Sequence, residues 1–171
     1  MRSSRTRTAV VCVAVAVLAA TCAFAVAASF VRITSSGVGP VKLGKTYTAL
    51  RGAGLLGKIG PGCELAGPRT RSASLRPPLR GSVDLTLSSP RKVNRIVVTR
   101  GATARGVGIG SSSAAIRRAF PQVAYNRTLE ETFAITLARV PASDGGPLEF
   151  ALDAKTRRVT LIGIPSVSFC E

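Results

Sequence analysis

The distribution of apolar residues separates an N-terminal leader from the rest of the chain. Residues 9–28 form an apolar run in which Thr21 is the only plainly polar residue, and three arginines precede it. The run ends at residues 23–28 in the order Ala-Phe-Ala-Val-Ala-Ala. This layout is typical of a secretory signal peptide, and we expect cleavage after Ala27 or Ala28. Because 20 apolar residues are also enough to span a bilayer, an uncleaved membrane anchor is the alternative.

Beyond the leader, two segments share one pattern at a spacing of 66 residues. Residues 41–54 (VKLGKTYTALRGAG) and 107–120 (VGIGSSSAAIRRAF) each predict a short extended piece, a glycine turn and a helix. Thr46 and Ser112 are expected to be helix N-caps, because their hydroxyls can accept a backbone N–H that the first turn leaves unpaired. Gly54 and Pro121 are expected to end the helices. The identical pairs are Val41/Val107, Gly44/Gly110, Ala49/Ala115, Arg51/Arg117 and Ala53/Ala119.

The segments after the two helices predict antiparallel strands. Residues 82–87 alternate, with Val83, Leu85 and Leu87 on one face, and Leu148, Phe150 and Leu152 alternate in the same way. Polar turns at 89–92 and 154–157 lead into β-branched return strands at 95–99 and 159–164. Residues 132–138 predict a further strand with Phe133, Ile135 and Leu137 facing the core. Its counterpart at 68–78 is rich in Arg, Ser and Pro and predicts a partial loop.

These patterns predict an α+β protein of two tandem units. Each unit would be a short helix followed by an antiparallel sheet of three to four strands. The expected boundaries are a leader at 1–28, a basic first repeat at 29–100 and a second repeat at 101–171. Because units of this size bury little core alone, we expect the two to pack as one body.

The charge is concentrated in the first repeat. The chain has 24 Lys and Arg, 8 Asp and Glu and no His, a formal net charge of +16. Residues 29–100 hold 13 basic and 2 acidic side chains, whereas residues 101–171 hold 8 and 6. Such a surface attracts polyanions by Coulomb attraction and counterion release. The candidate binding patch consists of Arg69, Arg71, Arg76, Arg80, Arg91, Lys92 and Arg95.

Export narrows the partners that this patch would meet. Nucleic acid is disfavoured outside the cell, and the basic half offers few aromatic side chains, mainly Tyr47, on which bases could stack. Anionic lipid head groups, anionic envelope polymers and an extracellular protein are the expected partners. A non-specific basic surface, in a chain with 19 Arg and 5 Lys, is the alternative.

Cysteine usage points to one disulfide bond. Two of the four cysteines lie in the leader, which leaves Cys63 and Cys170. In an exported chain, two cysteines predict a disulfide. Closing a loop of 107 residues contributes about 4–5 kcal/mol in the chain-entropy description. Two thiols without His or a C-x-x-C spacing do not make a tetrahedral zinc site, so we expect no metal.

The chain lacks the patterns of common catalytic sites. Without His, the usual general base near neutral pH is missing, so the serines at 111–113 have no histidine to activate them. Glu130 and Glu131 would point to opposite faces of an extended chain, and Glu149 would face outward. The glycines of 106–110 favour a strand exit and tight turn over a phosphate loop. We expect no catalytic residues, no cofactor and no enzyme activity.

The sequence resembles a group of small exported actinobacterial proteins. The resemblance is carried by GVGPVKLGKT at 37–46, GCEL at 62–65, GVGIG at 106–110 with Phe120-Pro121 after the helix, and SFCE at 168–171. It covers nearly all of the chain after the leader, and implies export, an internal duplication and a Cys63–Cys170 bridge. In architecture, two tandem helix-then-sheet units are similar to the β-lactamase inhibitory protein fold and to small outer-membrane assembly lipoproteins. The resemblance implies no activity and no site residues.

Together these features predict an exported, non-catalytic binding protein of the cell envelope, secreted or anchored by residues 9–28. Its arginine-rich first repeat would contact an anionic envelope component or a protein partner. Two other functions stay open. One is a secreted protein inhibitor of a hydrolase, suggested by architecture alone, and the other is a hydrolase of an unrecognised type.

Overall fold

The helices are short and the strands numerous in the computed structural model, which describes residues 30–64, 67–141 and 147–169. The first half contains β1 (Val31–Thr34), β2 (Gly37–Val38), β3 (Val41–Lys42), α1 (Tyr47–Gly52), β4 (Leu56–Pro61), β5 (Arg71–Leu75), β6 (Arg80–Leu85) and β7 (Val93–Arg100). The second half contains β8 (Ala102–Thr103), α2 (Ser113–Ala119), β9 (Ala124–Asn126), α3 (Glu130–Phe133), β10 (Ile135–Val140), β11 (Leu148–Asp153) and β12 (Val159–Ile164). The leader and Cys170 lie outside the described residues. The α+β class is confirmed.

One large sheet carries most of the strands. Its eight strands follow the order β4-β5-β6-β7-β12-β11-β10-β9, and all neighbours are antiparallel. The last strands of the two halves, β7 and β12, pair at its centre. A smaller sheet has the order β3-β2-β1-β8, in which β1 and β8 run parallel. Both halves of the chain therefore contribute to both sheets.

The two longer helices begin as the sequence predicts. The Thr46 side chain accepts a hydrogen bond from the Ala49 N–H at 3.4 Å, and the Ser112 side chain accepts one from the Ala115 N–H at 3.3 Å. The helices end at Gly52 and Ala119, close to the predicted stops. Local sequence thus determines both helix starts.

Each helix start is tied to the last strand of its own half. The Gly44 N–H donates to the Val93 carbonyl at 2.7 Å, and the Gly110 N–H donates to the Val159 carbonyl at 2.8 Å. Both glycines have a positive φ, +78° and +83°, a conformation that other residues adopt at a cost. These turns place α1 beside β7 and α2 beside β12.

A single apolar cluster joins the helices to one face of the large sheet. Leu50 of α1 and Ile116 of α2 are buried in it together with residues of the smaller sheet. The Phe120 and Phe150 rings lie 5.7 Å apart, which fastens the end of α2 to β11. The predicted inward positions Leu148, Phe150 and Leu152 are confirmed as buried.

The partial loop predicted at 68–78 is confirmed, because turns flank β5 on both sides. Two other sequence predictions are wrong in detail. Leu87 was expected in the core but is 61% exposed, because the hairpin closes at Thr86 and leaves Leu87 in the loop. The strand predicted at 132–138 begins only at Ile135, after α3.

The start of β10 also reverses the faces that the sequence predicts. Ala134 has a left-handed backbone (φ +54°) between α3 and the strand. The side chains on the core side are then Thr136, Ala138 and Val140, while Phe133 is 53% exposed. A shift of one residue moves a whole strand's side chains to the opposite face.

The continuous sheet predicts that the two halves unfold together. The chain has two tyrosines and no Trp, with Tyr47 in the first half and Tyr125 in the second. We expect Tyr47→Phe and Tyr125→Phe, each retaining one fluorescent tyrosine, to show coincident urea transitions. Ile162→Ala, at the central strand pair, is expected to lower the unfolding free energy by about 2–5 kcal/mol and to move both transitions equally. Two separate transitions would show that the halves are independent domains.

Candidate functional site

The structure divides the predicted basic patch between two ends of the large sheet. Arg71 pairs with Leu85, and Leu85 pairs with Val93, so these residues mark one end. Arg80 pairs with Arg100 at the opposite end. The basic end, as we define it, consists of Arg69, Arg71, Arg91, Lys92 and Arg95. Arg76 and Arg80 lie at the other end, away from the other five predicted residues.

A cleft of about 230 Å³ opens at the basic end. Arg71 and Arg95 line it together with Asp84, Leu87 and Cys63. Asp84 and Leu87 were not predicted as site residues. Asp84 occupies a polar position in the alternation of 82–87, which is the sequence signal for it, whereas nothing local shows that Leu87 leaves the core. The cleft thus combines cations with one exposed apolar side chain.

Hydrogen bonds hold the cations of the basic end in position. The Arg71 Nη1 donates to the Thr70 carbonyl at 2.8 Å and to the Pro68 carbonyl at 3.3 Å. Arg95 pairs with Asp84 at 3.1 Å. Burial raises the pKa of the Asp84 carboxyl above its ordinary value, although the charge and hydrogen bond of Arg95 oppose this. A guanidinium has five N–H donors, so most donors at this end remain available to a ligand.

The two halves differ in how their cations are neutralised. Within the described residues, the first half contains one ion pair, Arg95 with Asp84. In the second half Arg127 and Arg157 both bind Glu130, at 2.9 and 2.7 Å. Arg139 lies 3.8 Å from Glu149. The excess positive charge of the first half is therefore presented to solvent, while the second half pairs much of its own.

Glu130 is held by a structural network. Its Oε1 accepts hydrogen bonds from Arg127 Nε, Arg157 Nη1 and the Thr136 hydroxyl. The bonds from Arg127 and Thr136, with a further one from Arg157, lower the pKa of Glu130 to about 2. Its neighbour Glu131 is exposed. The pair sits in α3 rather than on an extended chain, and the Glu130 contacts fasten this helix to β10 and to the turn before β12.

Glu149 departs from its predicted outward, solvent-facing position. It does lie on the sheet face opposite the helices, but it is only 8% exposed because the C-terminal segment, residues 165–169, crosses that face. The Val167 N–H donates to Glu149 Oε2 at 3.1 Å. The Phe169 ring stacks on Phe133 at 6.1 Å. The segment thus covers part of a face that the sequence predicts to be open.

The other candidates for chemistry have structural partners. Ser112 is the N-cap of α2, and the Ser111 hydroxyl accepts the Gly108 N–H at 3.0 Å. Asp153 accepts both the N–H and the hydroxyl of Thr156, which lower the pKa of its carboxyl. Among the described residues, no group of three or more His, Cys, Asp or Glu side chains could hold a metal.

The predicted disulfide involves a residue outside the described part of the chain. Cys63 lies just after β4, where its carbonyl accepts the Thr70 hydroxyl at 2.9 Å. Cys170 lies outside the described residues, so the pairing stays a prediction.

Comparison of the chain with known protein families, with curated proteins and with solved structures finds no match. Within residues 30–64, 67–141 and 147–169, no helix is long and apolar enough to cross a membrane. The functional argument therefore depends on the geometry of this chain alone.

The Glu130 network predicts a pH-dependent contribution to stability. Because the folded state lowers the pKa of Glu130 from 4.5 to about 2, its contribution is present above pH 4.5 and is lost as the pH falls towards 2. We expect Glu130→Gln to flatten the dependence of the unfolding free energy on pH in this window. Glu131→Gln is the matched control, and an equal effect of both variants would contradict the assignment.

Because the C-terminal segment packs against Gly163, we expect a larger side chain at this position to displace the segment. A Cβ at this position would overlap the main chain of Ser166 and Val167. We expect Gly163→Val to cost about 1–3 kcal/mol and to speed hydrogen exchange of the Val167 amide, because the segment must lift from the sheet. Gly60→Ala is the control, since a Cβ there meets no atom within 4 Å. If the Val167 amide of Gly163→Val exchanges as slowly as in the parent protein, the segment is not displaced and the prediction is wrong.

Proposed function

We propose that the protein is an exported, non-catalytic binding protein that contacts an anionic component of the cell envelope through its basic end. The observation that carries the proposal is the convergence of Arg69, Arg71, Arg91, Lys92 and Arg95 at one end of the sheet. Arg71 and Arg95 line the cleft at this end, where Asp84 pairs with Arg95. The ligand class is a repeated anionic group, on a lipid surface or on an envelope polymer.

Backbone contacts that recur in the two halves support an internal duplication. Two contacts recur at the spacing of 66 residues: the Tyr47 N–H donates to the Arg91 carbonyl at 2.9 Å, and the Ser113 N–H donates to the Arg157 carbonyl at 3.1 Å. The order of β4 to β7 on one side of the sheet centre mirrors that of β9 to β12 on the other. We infer that the two halves are tandem units, bridged by the predicted Cys63–Cys170 disulfide.

Equivalent positions in the two units have different electrostatic surroundings. The turn residues Arg91 and Lys92 of the first unit correspond to Arg157 and Arg158 of the second. Arg157 binds Glu130 at 2.7 Å, and Arg158 donates to the Gly110 carbonyl at 2.8 Å. Arg91 has only a 3.4 Å hydrogen bond to the Thr86 carbonyl. Among the described residues, the cations of the second turn therefore make stronger intramolecular contacts than Arg91 does. This difference supports a binding role for the cations of the first turn.

Leu87 adds a short-range component to the proposed contact. It is 61% exposed and lines the same cleft as Arg71 and Arg95. An exposed apolar side chain near cations fits a surface on which anionic groups lie next to apolar chains, because electrostatic attraction and apolar burial then act together.

The experiment compares two variants that remove the same number of charges from the same half. Arg69→Gln/Arg91→Gln/Lys92→Gln changes the basic end, and Arg76→Gln/Arg80→Gln/Arg100→Gln changes the opposite end. A basic residue near an anionic surface contributes about 1 kcal/mol, so we expect the first variant to bind phosphatidylglycerol vesicles roughly a hundredfold more weakly. The second variant should lose much less affinity for the vesicles. Binding of both variants to soluble polyphosphate, measured in the same way, tests whether the ligand is an anionic polymer.

An equal loss in the two variants would show a generic basic surface and contradict the proposal. Unchanged binding by both would exclude the basic end as the contact. If only polyphosphate binding depends on the basic end, the ligand is a polymer rather than a lipid surface.

A further inference from the structure

A second cleft, of about 390 Å³, lies away from the basic end and shares no lining residue with it. It opens between β1, the turn after β8, the end of α2 and the facing ends of β10 and β11. The core residues Ile33, Phe120, Val140 and Leu148 form its apolar wall. Its volume lies within the usual range for sites of small organic ligands.

Arg105 is fixed at the edge of this cleft. It adopts a left-handed backbone, φ +48°, which costs a non-glycine residue free energy. Its Nη1 donates to the Ala119 carbonyl at 3.2 Å, and its guanidinium carbon lies 5.1 Å from the centre of the Phe120 ring. These contacts position the guanidinium beside the apolar wall and leave most of its five N–H donors for a ligand.

Arg32 also lines the cleft. Its backbone is held in β1, where it pairs with Thr103 of β8, and its carbonyl accepts the Gly39 N–H at 3.0 Å. Among the described residues that line the cleft, none is acidic. The positive charges of the two lining arginines favour an anion, and the apolar wall favours a hydrocarbon group.

We propose that this cleft binds a small amphipathic carboxylate, with the carboxylate on Arg32 and Arg105 and an apolar body against Phe120, Val140 and Leu148. A guanidinium offers paired donors that match the two oxygens of a carboxylate. The apolar body gains free energy by leaving water at a wall that is already formed. The site is independent of the function proposed for the basic end.

The test measures calorimetric binding of decanoate to the purified protein, below the micelle concentration of decanoate. Decanol has the same chain without the charge, and acetate has the charge without the chain. Because a charge-assisted hydrogen bond contributes about 1.5–3 kcal/mol, we expect decanol to bind at least about tenfold more weakly. Acetate should also bind at least about tenfold more weakly, because it lacks the alkyl chain that the apolar wall would bury. Failure of decanoate to bind, or equal binding of decanol, overturns the proposal.

Two variants locate the site. Arg32→Gln/Arg105→Gly removes both guanidiniums, and glycine suits the positive φ at position 105, so the turn is retained. We expect about a tenfold or greater loss of decanoate affinity. Arg76→Gln/Arg80→Gln removes two charges that do not line the cleft and should leave binding unchanged. An equal loss in both variants shows general charge attraction and overturns the site.

A third variant keeps the result interpretable if the double variant unfolds. Gln122→Trp places a large side chain at an exposed position of the cleft and leaves both cations in place. It is expected to block decanoate while retaining the circular dichroism spectrum of the parent. Unchanged affinity in the folded Gln122→Trp protein would place decanoate elsewhere.

Discussion

The pairing of β7 with β12 is the contact on which the rest of the structure depends. Val98 faces Ile162 and Ile96 faces Ile164 across this pair, and all four side chains are fully buried. Without it, each half would contribute a four-stranded sheet with one or two short helices and a small core. Because the two strands are antiparallel, the polar turns that precede them lie at opposite ends of the sheet. The strand pair therefore builds one core and at the same time separates two sets of turn cations.

The charged side chains of the two halves have different surroundings. In the second half, Glu130 binds Arg127 and Arg157 and fastens α3, so part of the charge supports the fold. In the first half, 2 carboxylates accompany 13 cations, and the excess must face solvent. The proposed binding end is identified by this difference in charge pairing between the two halves. The net charge of the whole chain would not locate it.

The sequence predictions succeeded where neighbouring residues determine the structure. Thr46 and Ser112 cap their helices because a hydroxyl reaches an N–H three residues away without help from the rest of the fold. The alternation of Leu148, Phe150 and Leu152 predicted burial because a regular strand fixes which side chains share a face. The predictions failed at Leu87 and at the start of β10, where a hairpin closure and a left-handed residue ended that regularity.

By itself, the sequence determined the α+β class, the helix starts, the return strands and the excess of positive charge, since each follows from local spacing or composition. Only the tertiary structure decided which cations meet. It placed Arg76 and Arg80 at the far end of the sheet, brought Leu87 beside Arg71 and Arg95, and covered Glu149 with the C-terminal segment. The physical reason is that these arrangements join residues distant in sequence. Their positions follow from strand order and register, which no local pattern records.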